Sequence, residues 1–210
     1  MKNWQIGLVL FFIVIAGAFV YFYLASLKSA DTYEGTDLSG KGPDFRLMDQ
    51  YGDLISLSDF KSKVVVLTFF DSQCQDVCPL TAAQLLQTYK KLDKSEASQV
   101  VFLAVNVNIQ ANAVTDVLFA TRQWHLDEIS NWHFLTGNAE VLKPIWSDYG
   151  VAVNPQSDGS ILHTPGVFLI DGAGQERRYI STPYSEDENT ESTLPLNELL
   201  VKHIHEIMEN

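Results

Sequence analysis

A seven-residue apolar run, Val64–Phe70, ends four residues before the first of two cysteines and leads into a helical pattern. The run is short, largely β-branched and without polar alternation. That suits a central strand covered on both faces. The chain must then turn from strand to helix at Cys74-Gln75-Asp76-Val77-Cys78-Pro79. The carboxyl edge of such a strand is where an α/β fold exposes reactive groups. Cys74 and Cys78 are i, i+4, so a helical turn stacks them on one face. Their Cα atoms then lie roughly 6 Å apart, within the range a disulfide tolerates. The same spacing lets two thiolates grip one soft metal ion. Redox chemistry and soft-metal binding both stay open at this point.

The rest of the chain supplies the layers around that strand. Phe45–Met48 and Leu54–Leu57 flank the turn-rich Asp49-Gln50-Tyr51-Gly52-Asp53 and read as a hairpin. Leu80–Leu92 has helical spacing at Leu85, Leu86, Tyr89 and Leu92, with Pro79 suited to a first turn. Val100–Val107 is a second buried strand. Val114–Trp124 is a helix expected to turn Val114, Val117, Leu118 and Phe119 inward. Trp132–Leu135 is a short strand, and Glu140–Tyr149 a helix broken by Pro144. Val167–Ile170 and Glu176–Ile180 form a hairpin around Asp171-Gly172-Ala173-Gly174, and Leu196–Met208 is a closing helix. Central parallel strands followed by a terminal hairpin and helix predict an α/β, thioredoxin-like sandwich with an N-terminal hairpin.

Ahead of this lies Ile6–Ala25, 20 uncharged and mostly apolar residues. A helix of that length crosses a hydrocarbon core of about 30 Å. Lys2 lies on one side; Lys28, Asp31, Glu34 and Asp37 lie on the other. The positive-inside rule puts the N-terminus in the cytoplasm and the domain outside, as a single-pass protein of the cell (inner) membrane. Tyr21 and Tyr23 suit an interfacial belt. A cleaved signal peptide is the competing reading, with Ala16-Gly17-Ala18 as the cleavage site, but the run is longer than a signal core. The expected organisation is an anchor at 1–27, a linker at 28–41 whose polar part Ser29–Lys41 acts as a tether, and one domain at 42–210. A formal net charge of −12 argues against nucleic acid and against a polybasic membrane surface. Outside the cytoplasm a lone cysteine pair can be a disulfide.

From about Gly42 to the last helix the sequence resembles the Sco/SenC family. Gly42-Pro43-Asp44-Phe45 and Ser56-Leu57-Ser58-Asp59-Phe60 look like the opening of many thioredoxin-like domains. Cys74-Gln75-Asp76-Val77-Cys78-Pro79 is similar to the family's Cys-Pro-Asp-Val-Cys-Pro, a far more specific match. Trp132-His133-Phe134-Leu135-Thr136-Gly137 also resembles a family segment. His163, in His163-Thr164-Pro165-Gly166-Val167-Phe168, stands where the family has its metal-binding histidine. The resemblance implies a membrane-anchored copper protein, with one copper per chain held by Cys74, Cys78 and His163. It implies a role in assembling the binuclear copper centre of cytochrome c oxidase. The partner would be the copper-site subunit of that oxidase or another extracytoplasmic thiol protein. The alternatives are a thiol–disulfide oxidoreductase acting on such a partner, with Cys74 and Cys78 as its redox pair, and a redox or copper sensor.

Three departures accompany the resemblance. Gln75 replaces a proline. Asn106-Val107-Asn108-Ile109-Gln110 stands where the family has Asp-Pro-x-Arg-Asp. Pro165 occupies the slot of the cis-proline that covers the pair in redox-active thioredoxin-like proteins. A cis Thr164–Pro165 bond would go with thiol exchange, a trans bond or an averted ring with copper.

The chemistry of the candidates fits either use. A helix N-terminus favours a thiolate, the ligating and nucleophilic form. Two thiolates satisfy cuprous copper, and an added imidazole suits cupric copper too. A closed zinc site wants a fourth ligand, and there is no third cysteine. A purely stabilising disulfide gains little from so short a loop. His125 and His133 read as structural, and His203 and His205 as a solvated tail. Asp71 and Asp76 serve either thiol tuning or turn and cap chemistry. Met48 reads as core, Trp124, Trp132 and Trp146 as packing, and Glu186–Glu191 as a solvated loop. No Ser-His-Asp set and no phosphate loop is present.

Overall fold

The computed structural model describes residue 4 and residues 13–22, 34–182 and 194–209. Residues 34–182 and 194–209 belong to one compact unit, and residues 13–22, which are helical, belong to another. Half of the expected span Ile6–Ala25 lies outside the described residues, as does all of Glu186–Glu191. Among the described residues no helix is long and apolar enough to cross a membrane.

The larger unit is built on a mixed six-stranded sheet in the order β1 (Thr36–Asp37), β10 (Glu176–Ile180), β9 (Val167–Ile170), β4 (Val64–Phe70), β5 (Val100–Asn106) and β6 (Trp132–Leu135). Its centre is β4 beside β5, in parallel with Val64 opposite Val100. β6 extends the parallel half. On the other side β9 runs antiparallel to β4, and β10 antiparallel to β9. All seven residues of β4 and of β5 are buried, as their unbroken apolar runs require.

The pleat of β4 divides the core. Val64, Val66 and Phe70 face a cluster that includes Cys78, Ala82 and Leu85 of helix α1 (Val77–Lys91), Val117 and Ala120 of α3 (Val114–Gln123), and Leu200 and Ile204 of α5 (Leu196–Met208). Val65, Leu67 and Phe69 face a second cluster with Leu142 and Trp146 of α4 (Ala139–Asp148) and Leu47 of the hairpin β2 (Arg46–Met48)/β3 (Leu54–Ser56). This is the two-layered covering of a thioredoxin-like sandwich.

Five expectations change. Met48, read as core, is 41% exposed, because it is Leu47 of β2 that points inward. The tether is folded at its far end: β1 (Thr36–Asp37) pairs with Tyr179 and Arg178 on the sheet edge. Phe119 is 64% exposed, because Val117, Ala120 and Thr121 form the inward face of α3. Pro144 does not break α4; it sits inside an otherwise continuous helix whose Asn138 cap accepts from Val141 N–H. The last helix is no solvated tail. His203 is 1% exposed and lies between Glu206 Oε2 (2.7 Å) and Glu34 O (2.8 Å), and His205 Nε2 is 2.9 Å from Glu96 Oε1.

A helix and a hairpin are among the elements that had no forecast. α2 (Lys94–Gln99) begins with a reciprocal Asp93–Glu96 capping box. β7 (Val153–Pro155) and β8 (Ile161–His163) form a small antiparallel hairpin of their own.

Candidate functional site

The site lies at the carboxyl end of β4, where Asp71–Asp76 carries the chain into α1. Asp71 builds the turn. Its backbone oxygen accepts from Cys74 N–H (3.1 Å), and its carboxylate accepts from Gln73 N–H (2.9 Å) and Asn108 Nδ2 (2.8 Å). Of its two readings, turn chemistry is what the geometry displays. Asp76 is the N-cap of α1, yet its side chain makes no capping bond. Cys74 does instead: its Sγ accepts from the N–H of Cys78 at 3.4 Å. A sulfur thus fills the place of a cap oxygen at the positive end of a 15-residue helix.

The two thiols are unequal for that reason. Both are free; Cys74 is half-buried and Cys78 is 2% exposed. A hydrogen bond from the Cys78 thiol, together with backbone N–H groups of Cys78, Asp76 and Val77, brings Cys74 down to about 6 against the cost of burial. The same thiol–thiol bond, burial, and the charge of Cys74 push Cys78 far up. One sulfur is therefore a ready thiolate and the other a proton donor to it.

His163 comes from across the sheet. It ends β8 rather than leading β9 from a loop, and its Nε2 lies 4.0 Å from Cys78 Sγ. Its Nδ1 lies 3.1 Å from Thr164 O, an acceptor only, so Nδ1 carries the proton and Nε2 offers a lone pair. Burial lowers its basicity, opposed by the Thr164 carbonyl and by the charge of Asp71. The ring is thereby kept neutral and able to ligate. Pro165 and Thr182 line the same cleft as Cys78 and His163, and the Thr164–Pro165 bond is trans.

The structure thus gathers Cys74, Cys78 and His163 at one end of the sheet, with Cys78 meeting Cys74 through its N–H and His163 through its sulfur. Among the described residues no three His, Cys, Asp or Glu side chains converge closely enough to enclose a metal as they stand. The Cys78–His163 gap still suits a shared ion: bonds of about 2.0 Å to nitrogen and 2.3 Å to sulfur reach about 4.3 Å end to end for zinc. His133 stays apart, 2.9 Å from Asp49 Oδ2. His125 is an exposed left-handed residue before a short 3₁₀ turn.

Sequence reasoning marked the Asn106–Gln110 segment as a departure but gave its asparagines no part in building the site. Asn106 is fully buried at the end of β5; its Nδ2 donates to Asn108 O and Ala111 O, and its Oδ1 accepts from Asn108 N–H. Asn108 binds Asp71 and so ties this loop to the cysteine turn. The signal was the departure itself, since uncharged amides stand where the family pattern has charges.

The SCO1/SenC family model matches residues 34–195. The chain belongs to the SCO1/SenC family. Among curated relatives, the SCO1 protein homolog of Bacillus subtilis is 24% identical over 149 residues, covering 70% of this chain and 74% of that protein. Among solved structures, Arabidopsis thaliana ScoI with copper bound superposes with a TM-score of 0.67 at 19% identity, over 81% of this chain and all of that one. BsSco, described as having a disulfide switch and as a member of the Sco family of cytochrome c oxidase assembly proteins, gives 0.65 at 17% identity, over 84% and 98%. At such identities these two SCO1/SenC structures speak for the fold.

Proposed function

We propose that this SCO1/SenC protein is a membrane-anchored copper-binding protein that serves in assembling the copper centre of cytochrome c oxidase. The observation that carries the reading is the approach of His163 Nε2 to Cys78 Sγ at 4.0 Å, with Cys74 capping the same helix turn. The donor set is two sulfurs and a neutral imidazole, which suits cuprous and cupric copper, whereas a closed zinc site wants a fourth ligand. Copper is the cargo here. Cys74 meets it as a thiolate, Cys78 must give up its proton, and His163 contributes Nε2 without losing one. Uptake therefore releases protons. Ile6–Ala25 is the proposed membrane span, with residues 28–41 leading to a domain at 42–210 outside the cytoplasm. The proposed partner is the copper-site subunit of the oxidase, or another extracytoplasmic thiol protein. A relative solved with copper and another named among oxidase assembly proteins support the assignment.

The inequality of the thiols favours a second reading, reduction of a disulfide in the copper-site partner. Cys74 thiolate would attack one partner sulfur, forming a mixed disulfide and expelling the other as a thiol. Cys78 would lose its proton, attack Cys74 Sγ and release the second partner thiol. The partner gains two electrons, the proton given up by Cys78 and a second proton from water, and the pair is left as a disulfide.

Copper loading of the full chain in detergent, after anaerobic reduction, separates the two. One tightly held copper per chain, lost in Cys74→Ser and in Cys78→Ser, is the expected result. A wild-type chain that stays copper-free at micromolar copper, yet reduces a protein disulfide, reverses the order.

A further inference from the structure

We infer that Thr68 and Tyr179 are positioning residues for His163, an inference that rests on the copper reading above. Three successive backbone carbonyls after the imidazole each accept a side-chain donor. Thr164 O accepts from His163 Nδ1 at 3.1 Å, Pro165 O from the Tyr179 hydroxyl at 2.6 Å, and Gly166 O from the buried Thr68 hydroxyl at 2.9 Å. Sheet pairing resumes only at Val167, opposite Thr68 and Ile180. Pro165 has no N–H to give to a ladder. Side chains therefore hold this stretch where strand bonds do not.

Both posts stand on the sheet. Thr68 lies in β4, two residues before the strand ends and six before Cys74. Tyr179 lies in β10, and its ring packs on Phe168 with centroids 4.9 Å apart. Gly166 completes the fit. A Cβ there would come within 2.6 Å of the Tyr179 ring, so only glycine lets the hydroxyl reach the neighbouring carbonyl. The strand that delivers the cysteines thus also fixes the segment that delivers the histidine, and the Cys78–His163 spacing is set through β4. Ala152 adds a second tie, accepting from Thr164 N–H and donating to Thr164 Oγ1. It holds the β7–β8 side of the segment, whereas Thr68 and Tyr179 hold the side nearer the sheet.

Two measurements on the full chain in detergent test this. The first uses the copper-free, reduced protein: the rate of His163 carbethoxylation by diethyl pyrocarbonate, read by mass spectrometry. Thr68→Val and Tyr179→Phe should each speed it several-fold, while Thr68→Ser, which keeps the hydroxyl, should match wild type. The second titrates copper ions alone. Loss of a group bonded directly to a metal ligand lowers affinity by roughly 10–100-fold, so loss of these posts, which bond one and two carbonyls further on, should lower it by about severalfold. That loss should appear for Cu(II) and not for Cu(I), which two thiolates already satisfy. Unchanged carbethoxylation in Thr68→Val and Tyr179→Phe overturns the inference, as does equal loss of both copper ions. Should Thr68→Val fail to fold, Tyr179→Phe, which keeps the ring, decides it. A wild-type chain that takes up no copper overturns the functional reading alone, and the copper-free measurement still decides this one.

Discussion

Cys74 owes its acidity to its own turn, through the N–H groups of Asp76, Val77 and Cys78 and the thiol of Cys78. His163 owes its place to residues 14 and 98 positions from the carbonyls they hold. One half of the site is made by local spacing, and the other exists only once the sheet has formed. Chemistry encoded in four consecutive peptide units survives sequence drift as a recognisable motif. Chemistry assembled across a sheet leaves only single residues behind, such as one histidine, one glycine and one tyrosine.

The largest expected effect sets the two sulfurs against each other. The fold favours the Cys74 thiolate and disfavours that of Cys78. Alkylation of Cys74 by iodoacetamide should therefore rise through a midpoint near pH 6, while Cys78 stays unreactive through pH 9. The sign for stability follows. A depressed pKa contributes stability that is complete above the ordinary thiol range and is lost as pH falls through about 6. Peptide-resolved mass spectrometry reads both residues in one sample. Equal labelling of the two cysteines at pH 7 would mean that α1 does not polarise the pair.

A smaller effect is expected from Gly166→Ala, which strikes the histidine arm and spares the cysteine turn. The new Cβ collides with the Tyr179 ring, and the backbone there has φ of +155°. Strain of this kind costs about 1–3 kcal/mol. Thermal unfolding should fall by roughly 2–4 °C per kcal/mol for a domain of this size. The Cys74 midpoint should stay near pH 6. Movement of that midpoint would show that the two halves are coupled after all.

The same division governs what could be read beforehand. β4, β6, β9, β10 and α5 match the sequence-derived limits because each is an apolar run or stripe bounded by turn chemistry. The cysteine pair was legible because i, i+4 spacing on a strand-to-helix turn has few other geometries. Phe119 misled because hydrophobicity was taken for direction; the smaller Ala120 and Thr121 set the inward face. His203 misled because i, i+2 spacing with His205 puts the two on different faces, and one of those faces is buried. The β7–β8 hairpin was invisible because Val153–Pro155 and Ile161–His163 are three residues each, too short for a period. Thr68 carries no signal of its own in an apolar strand, since its hydroxyl acquires meaning only opposite Gly166 O.

The smallest effect is the sharpest test of the division. His163→Ala removes the imidazole beside Cys78 and should cost Cu(II) affinity more than Cu(I), because the two thiolates remain. Its effect on Cys74 should be nil. None of the groups that lower Cys74 belongs to the His163 arm; they are the Cys78 thiol and three N–H groups of the turn. His163 is held neutral by burial, so its removal takes no charge from the cleft. Its neighbour among the sulfurs is Cys78, which passes its hydrogen bond to Cys74 whether or not the ring is present. The iodoacetamide midpoint of Cys74 in His163→Ala should therefore coincide with that of wild type. A midpoint displaced toward the ordinary thiol range would mean that the imidazole helps to hold the thiolate, and that the local half of the site is not local.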